Sequence, residues 1–130
     1  MATGFPSATG DILTAAMYNG LVTFDVSGSD QTADYTAVLG DSYQKLVYMN
    51  KATAIAFKIP TNASVAFPVG TVLNVLNKGV GTCTISAVTS GTTTVLSAGA
   101  TAASPTLGQY KMAACVKVAT DTWYVVGAIA

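Results

Sequence analysis

The sequence predicts an all-β fold: an antiparallel β-sandwich or jelly-roll-like domain behind a short amino-terminal arm. Three observations lead there. From residue 21 onward the chain is a succession of short runs rich in Val, Ile, Thr and aromatics, the residue types that suit a pleated, half-buried surface. Gly, Asp, Asn, Ser or Pro bounds most runs at intervals of about ten residues, the spacing of sandwiches and barrels rather than of alternating helices and strands. Within the runs apolar and polar positions alternate, with Cys83 and Ile85 facing one way and Thr82, Thr84 and Ser86 the other.

A length of 130 residues is that of one ordinary domain, divided here into an arm over 1–20 and a single β-domain over 21–130. The arm begins with small residues and one aromatic, Phe5, beside Pro6. A one- to two-turn helix is expected next: the Thr14 hydroxyl supplies an amino-terminal cap, Ala15, Ala16 and Met17 favour helix, and Gly20 suits a left-handed stop. So short a helix is stable only when packed, and Leu13, Met17 and Leu21, four apart, give it one apolar stripe.

Strands are expected over 21–26, 35–39, 45–50, 54–59, 71–77, 82–87, 93–97, 111–119 and 122–129. Thr120-Asp121 reads as a tight hairpin turn between the last two. Ser90-Gly91 similarly separates 85–88 from 93–96, and its glycine permits positive φ. The Gly/Ala/Ser-rich stretch 97–105 is the expected mobile loop. No internal repeat stands out, and no second domain.

Composition excludes much chemistry. All six basic residues are Lys and all six acids are Asp, so Arg, Glu and His are missing. Without His there is no imidazole relay, imidazole metal ligand or near-neutral proton shuttle; without Arg there is no bidentate clamp for phosphate. Zero formal net charge with scattered lysines gives no electrostatic footprint for nucleic acid. Apolar runs such as 54–57 fall far short of the ~20 residues that cross a bilayer, and no cleaved leader is expected from the amino end. Neither Ser-x-x-Lys nor Gly-x-Ser-x-Gly occurs, so no enzyme is expected, and no cofactor.

Four constellations need weighing. Asp30 and Asp34 could offer carboxylates to Ca²⁺, but with no third acid nearby they read as turn residues. Gly79-Val80-Gly81 lacks the remaining pattern of a phosphate loop and reads as a tight β-turn. Asn62-Ala63-Ser64 matches a glycosylation sequon yet reads as a turn after Ile59-Pro60. Cys83 and Cys115 lie within strand runs and read as buried free thiols, with a disulfide between neighbouring strands left open.

Only 9% of residues are charged, too few to guard so many strand edges against pairing with other chains, so a closed homo-oligomer is expected. Alternation along the last strand sets Trp123 and Val125 on one face and Tyr124 and Val126 on the other. Both faces are apolar, as in a strand buried on two sides or at a subunit interface; Trp123, Tyr124 and Val126 are the candidate interface residues. Tyr110, Trp123 and Tyr124 could alternatively form a sugar-stacking platform.

The segments Gly4-Phe5-Pro6, Gly10-Asp11-Ile12-Leu13-Thr14-Ala15-Ala16 and Asn19-Gly20-Leu21 resemble the opening of tailed-phage structural proteins. From Ala33-Asp34-Tyr35-Thr36 onward the chain resembles a β-rich module of phage fibre and head-surface proteins. The features that carry this are Lys45-Leu46-Val47-Tyr48-Met49-Asn50, Ile59-Pro60, Ser64-Val65-Ala66-Phe67-Pro68-Val69-Gly70-Thr71 and Asp121-Thr122-Trp123-Tyr124-Val125-Val126-Gly127. The resemblance implies a virion structural protein, often a homotrimer. With an arm, a short helix and one β-domain but no shaft, the chain is expected to be a capsid decoration (cement) protein on the outer capsid surface, made in the host cytoplasm. Its partners would be the major capsid protein and copies of itself, not nucleic acid or membrane, with Phe5, Pro6, Ile12, Leu13, Met17 and Tyr18 as the capsid contacts. The alternative is a short head or tail fibre module that binds a host-surface glycan.

Overall fold

A computed structural model describes Ala15, residues 23–97 and residues 105–129. The expected helix, apart from Ala15, and the body of the expected mobile loop lie outside the described residues. Among the described residues ten strands, numbered in chain order, form two sheets. The larger has the order β1 (Asp30–Gln31), β3 (Leu46–Met49), β5 (Val72–Asn77), β9 (Lys111–Ala119), β10 (Thr122–Gly127), β7 (Thr94–Ser97). The smaller has the order β2 (Tyr35–Thr36), β4 (Ile55–Ile59), β6 (Cys83–Ala87), β8 (Thr106–Leu107). A 3-10 turn, Leu39–Ser42, separates β2 from β3.

The fold is all-β as expected, but the expectation of an antiparallel sandwich or jelly roll is corrected in strand direction. From β1 to β6 the chain changes sheet at every step, so each strand returns beside, and parallel to, the strand two places earlier. Among the ten named strands, antiparallel pairing joins β5 with β9, β9 with β10, and β6 with β8. The Thr120-Asp121 hairpin forms, with Asp121 at φ 58°. Gly91 does take a positive φ of 90°, yet the strands around it belong to different sheets and make no hairpin. The expected strand over 21–26 is reduced, within its described part, to a single bridge between Asp25 and Lys45.

Successive coils are stacked in register. Leu46 lies opposite Asn74 in one sheet and Ile55 opposite Cys83 in the other, 28 residues apart in both. The turns between the sheets therefore lie directly on one another. Lys78 N–H donates to the Met49 carbonyl at 2.7 Å and Gly81 N–H to the Lys51 carbonyl at 2.9 Å. A Cβ on Gly79 would overlap the Lys51 backbone, and one on Gly81 the Thr53 carbonyl, so this turn has to be built from glycine. Asn77, fully buried, fastens it: its Nδ2 donates to the carbonyls of Gly81 and Leu107, both at 2.9 Å, and its Oδ1 accepts from Gly79 N–H at 3.0 Å. That satisfies backbone groups which would be costly to leave unpaired in the interior.

Inward positions of both sheets share one core that includes Val47, Met49, Phe57, Val75, Ile85, Leu107 and Trp123. Phe67 meets the Trp123 ring edge-on, centroids 5.6 Å apart, a favoured aromatic geometry. Cys83 and Cys115 are in this core and are free. Burial pushes the Cys83 thiol up to about 11 and the Cys115 thiol to about 12, from an ordinary 9.0. Tyr35 is raised as well, by burial and then by Asp41. All three fold best in the neutral form. The thiols' contribution to stability is therefore intact below pH 9 and is lost as pH rises through 11 and 12, and that of Tyr35 is lost at higher pH still. Urea midpoints are expected to hold between neutrality and pH 9 and then fall, with a smaller fall in Cys115→Ala; a wild-type midpoint unchanged at pH 12 would contradict this.

Candidate functional site

The two sheets present opposite chemistries on their outward faces. Outward positions of the four-stranded sheet are Thr36, Ala56, Lys58, Thr84, Ser86 and Thr106, a surface suited to water. On the six-stranded sheet the registers align Val72, Val116, Tyr124 and Leu96 across four strands. Tyr48, Leu76 and Met112 make a second row, and Leu46, Asn74, Ala114 and Val126 a third. From β3 to β7 no outward position carries a charge. Val72, Val118, Tyr124 and Val126 are between 38% and 49% exposed.

Leu46 and Asn74 in the third row are covered by the chain itself, so the open part of the face is centred on these four residues. Charge begins at the β1 rim. There Lys78 Nζ lies 2.8 Å from Asp30 Oδ1, Asn50 Nδ2 donates to Asp30 Oδ2 at 2.9 Å, and Lys78 Nζ stands 4.6 Å from the Tyr48 ring centroid. The Lys78 hydrogen bond, helped by Asn50, holds Asp30 below the usual carboxylate range. The face is thus uncharged from β3 to β7, with charge along its β1 edge. At one end the face runs into a shallow groove of about 510 Å³ lined by Phe24, Ser42, Gln44, Gly70, Thr71, Val72 and Asn74.

Tyr124 and Val126, expected at a subunit interface, are on this face. Trp123 is not, and that expectation is corrected: it points inward, 1% exposed, and the chain's own core covers its ring. The capsid-contact candidates Phe5, Pro6, Ile12, Leu13, Met17 and Tyr18 lie outside the described residues. Val72, Leu96 and Val116 were missed, although 71–77 and 111–119 already carry apolar residues on both faces.

Other constellations serve the fold. Asp34 Oδ1 accepts from Ala56 N–H at 2.9 Å, and with Asp30 engaged by Lys78 the two acids act as turn and rim residues; no group of three metal-ligating side chains occurs among the described residues. Buried Asp41 accepts from Tyr35 O–H at 2.7 Å and Val38 N–H at 2.9 Å and pairs with Lys45 at 3.5 Å. Asn62, the sequon residue, is held from two sides. Its N–H donates to Asp121 Oδ1 at 2.7 Å, and its Oδ1 accepts from Lys117 Nζ at 2.7 Å. Tyr110 is 74% exposed and takes φ 61°. The thiols, buried and held neutral, are poor nucleophiles.

Fold and surface together define an all-β protein of two sheets with one polar outer face and one uncharged apolar outer face. No protein-family model, no curated protein and no solved structure matches the chain.

Proposed function

We propose that the chain is a capsid decoration protein, a homotrimer that binds the outer surface of a phage capsid and stabilises the shell. The observation that carries this reading is the uncharged outward face of the six-stranded sheet, opposite a polar one. Such a face needs covering, and a second copy of the chain is the occupant that fits. With no charge from β3 to β7 there is nothing to select a partner of opposite sign, and an uncharged apolar face is complementary to itself. Trimeric order comes from the resemblance to phage head-surface modules. Phe5, Pro6, Ile12, Leu13, Met17 and Tyr18 would then reach the major capsid protein, and three linked arms bind with a gain in effective concentration.

Deletion of residues 1–20 is expected to leave a folded trimer that no longer sediments with capsids; retained binding sinks the arm assignment. In purified virions the protein is expected at a ratio near one to the major capsid protein. A fibre module for a host-surface glycan is the second reading, favoured by the exposed ring of Tyr110 on left-handed backbone. It requires few copies per particle and loss of adsorption in Tyr110→Ala.

A further inference from the structure

Of the six lysines only Lys117 is buried, at 2% exposure. Among the described residues no carboxylate pairs with it. Its Nζ lies 2.7 Å from Asn62 Oδ1, 2.7 Å from the Phe67 carbonyl and 5.9 Å from the centroid of the Trp123 ring. A buried cation held by neutral oxygens and a ring carries a desolvation cost that an opposite charge would offset, and none is supplied. The amide carbon of Asn62 is one carbonyl bond, about 1.2 Å, beyond the oxygen that Nζ already touches, which brings nitrogen and carbon close to the ~3–3.5 Å of a near-attack arrangement. The remaining member of the site is Asp121, whose Oδ1 accepts from Asn62 N–H at 2.7 Å and from Thr93 Oγ1 at 3.1 Å. Asp121 is itself the left-handed residue of the β9–β10 hairpin.

We propose that Lys117 and Asn62 join in an intramolecular isopeptide bond. The Nζ lone pair, freed when the ammonium gives up a proton, attacks Asn62 Cγ, forming the N–C bond. The tetrahedral centre collapses, the Cγ–Nδ2 bond breaks, and the released ammonia takes up the proton to leave as ammonium. One lysine cation and one primary amide thus become one secondary amide and one ammonium ion, with no oxidant, reductant or other reactant. Asp121 accepts from the backbone N–H of Asn62 and from Thr93 Oγ1 and so holds Asn62 in place, while the proton passes from the attacking nitrogen to the departing one. The fold supplies orientation, as holding two groups in reacting geometry replaces a collision between them. The reaction also removes the buried charge. The bond would tie the loop after β4 to β9 beside the hairpin turn.

The test is the intact mass of the purified full-length protein, measured denatured. It is expected to fall short of the sequence mass by one ammonia, after allowance for any loss of the initiator methionine. Trypsin should then yield peptide 59–78 covalently joined to 112–130, since the linked Lys117 is no longer a cleavage site. Lys117→Arg and Asn62→Ala should each restore the full mass of their own sequence. A wild-type protein of full sequence mass, cut after Lys117 and giving separate peptides, overturns the proposal; that reading needs no variant to fold.

Discussion

Val116→Lys is expected to yield a folded monomer. Val116 is in the row that crosses the apolar face on four strands, flanked by Val72 on β5 and Tyr124 on β10. It points away from the core, so a longer side chain there meets solvent in the isolated subunit and should change its stability by no more than ~1 kcal/mol. In an oligomer that covers the face, the same ammonium is buried without a partner in every copy. That costs on the order of 3 kcal/mol or more per contact, about a hundredfold or more in the association constant. Light scattering after size exclusion should report an oligomer for the wild type and one chain for the variant, with matching circular dichroism. A variant that stays oligomeric moves the interface elsewhere, and a monomeric wild type removes self-association as the cover of this face.

Gly81→Ala should cost the most of any single methyl group. The added Cβ would fall on the Thr53 carbonyl, and the Gly81 N–H that donates to Lys51 must stay close for the coils to remain stacked. Backbone cannot turn aside as a side chain does, so the coils must separate there, and the three hydrogen bonds of Asn77 are strained with them. A destabilisation of about 3 kcal/mol or more is expected, at the upper end for overpacking. Gly40→Ala is the control: nothing stands within 4 Å of its added carbon, and its urea midpoint should move little. A Gly81→Ala midpoint as high as that of the control would mean that the turns are not stacked.

Strand positions were legible in the sequence because β-branched alternation and turn residues are local signals. The strand expected over 111–119 is β9 to the residue, and those expected over 71–77 and 82–87 are one residue longer than β5 and β6. Direction and partnership were not legible. A period of two says which side of a strand meets the core and nothing about its neighbour. Strands β1 and β8, two residues each, are too short to show a period at all. The 28-residue stagger left no visible repeat because stacked positions conserve direction more than identity: Val47 faces Val75, but Met49 faces Asn77 and Phe57 faces Ile85. Gly79-Val80-Gly81 could be read as a turn, while the reason for its glycines lies in residues 51–53 of the neighbouring coil. The apolar face was half legible, from Tyr124 and Val126. Its other rows needed the pairing of β5, β9 and β10. Lys117 gave no signal, since a lone lysine in a strand reads as a solvated side chain.

The order of strands in the six-stranded sheet constrains the sequence of events during synthesis. Among the described residues β7 pairs only with β10, and β10 reaches the rest of the sheet only through β9. A nascent chain that has emerged as far as β7 can lay down the coils of β1 to β6 but holds β7 with no neighbour in its sheet. Residues 111–127 supply the missing link, placing β9 against β5 and β10 against β7. Closure of the larger sheet is thus a late event that waits for the carboxy-terminal hairpin. Until then the open edge of β5 stays unpaired.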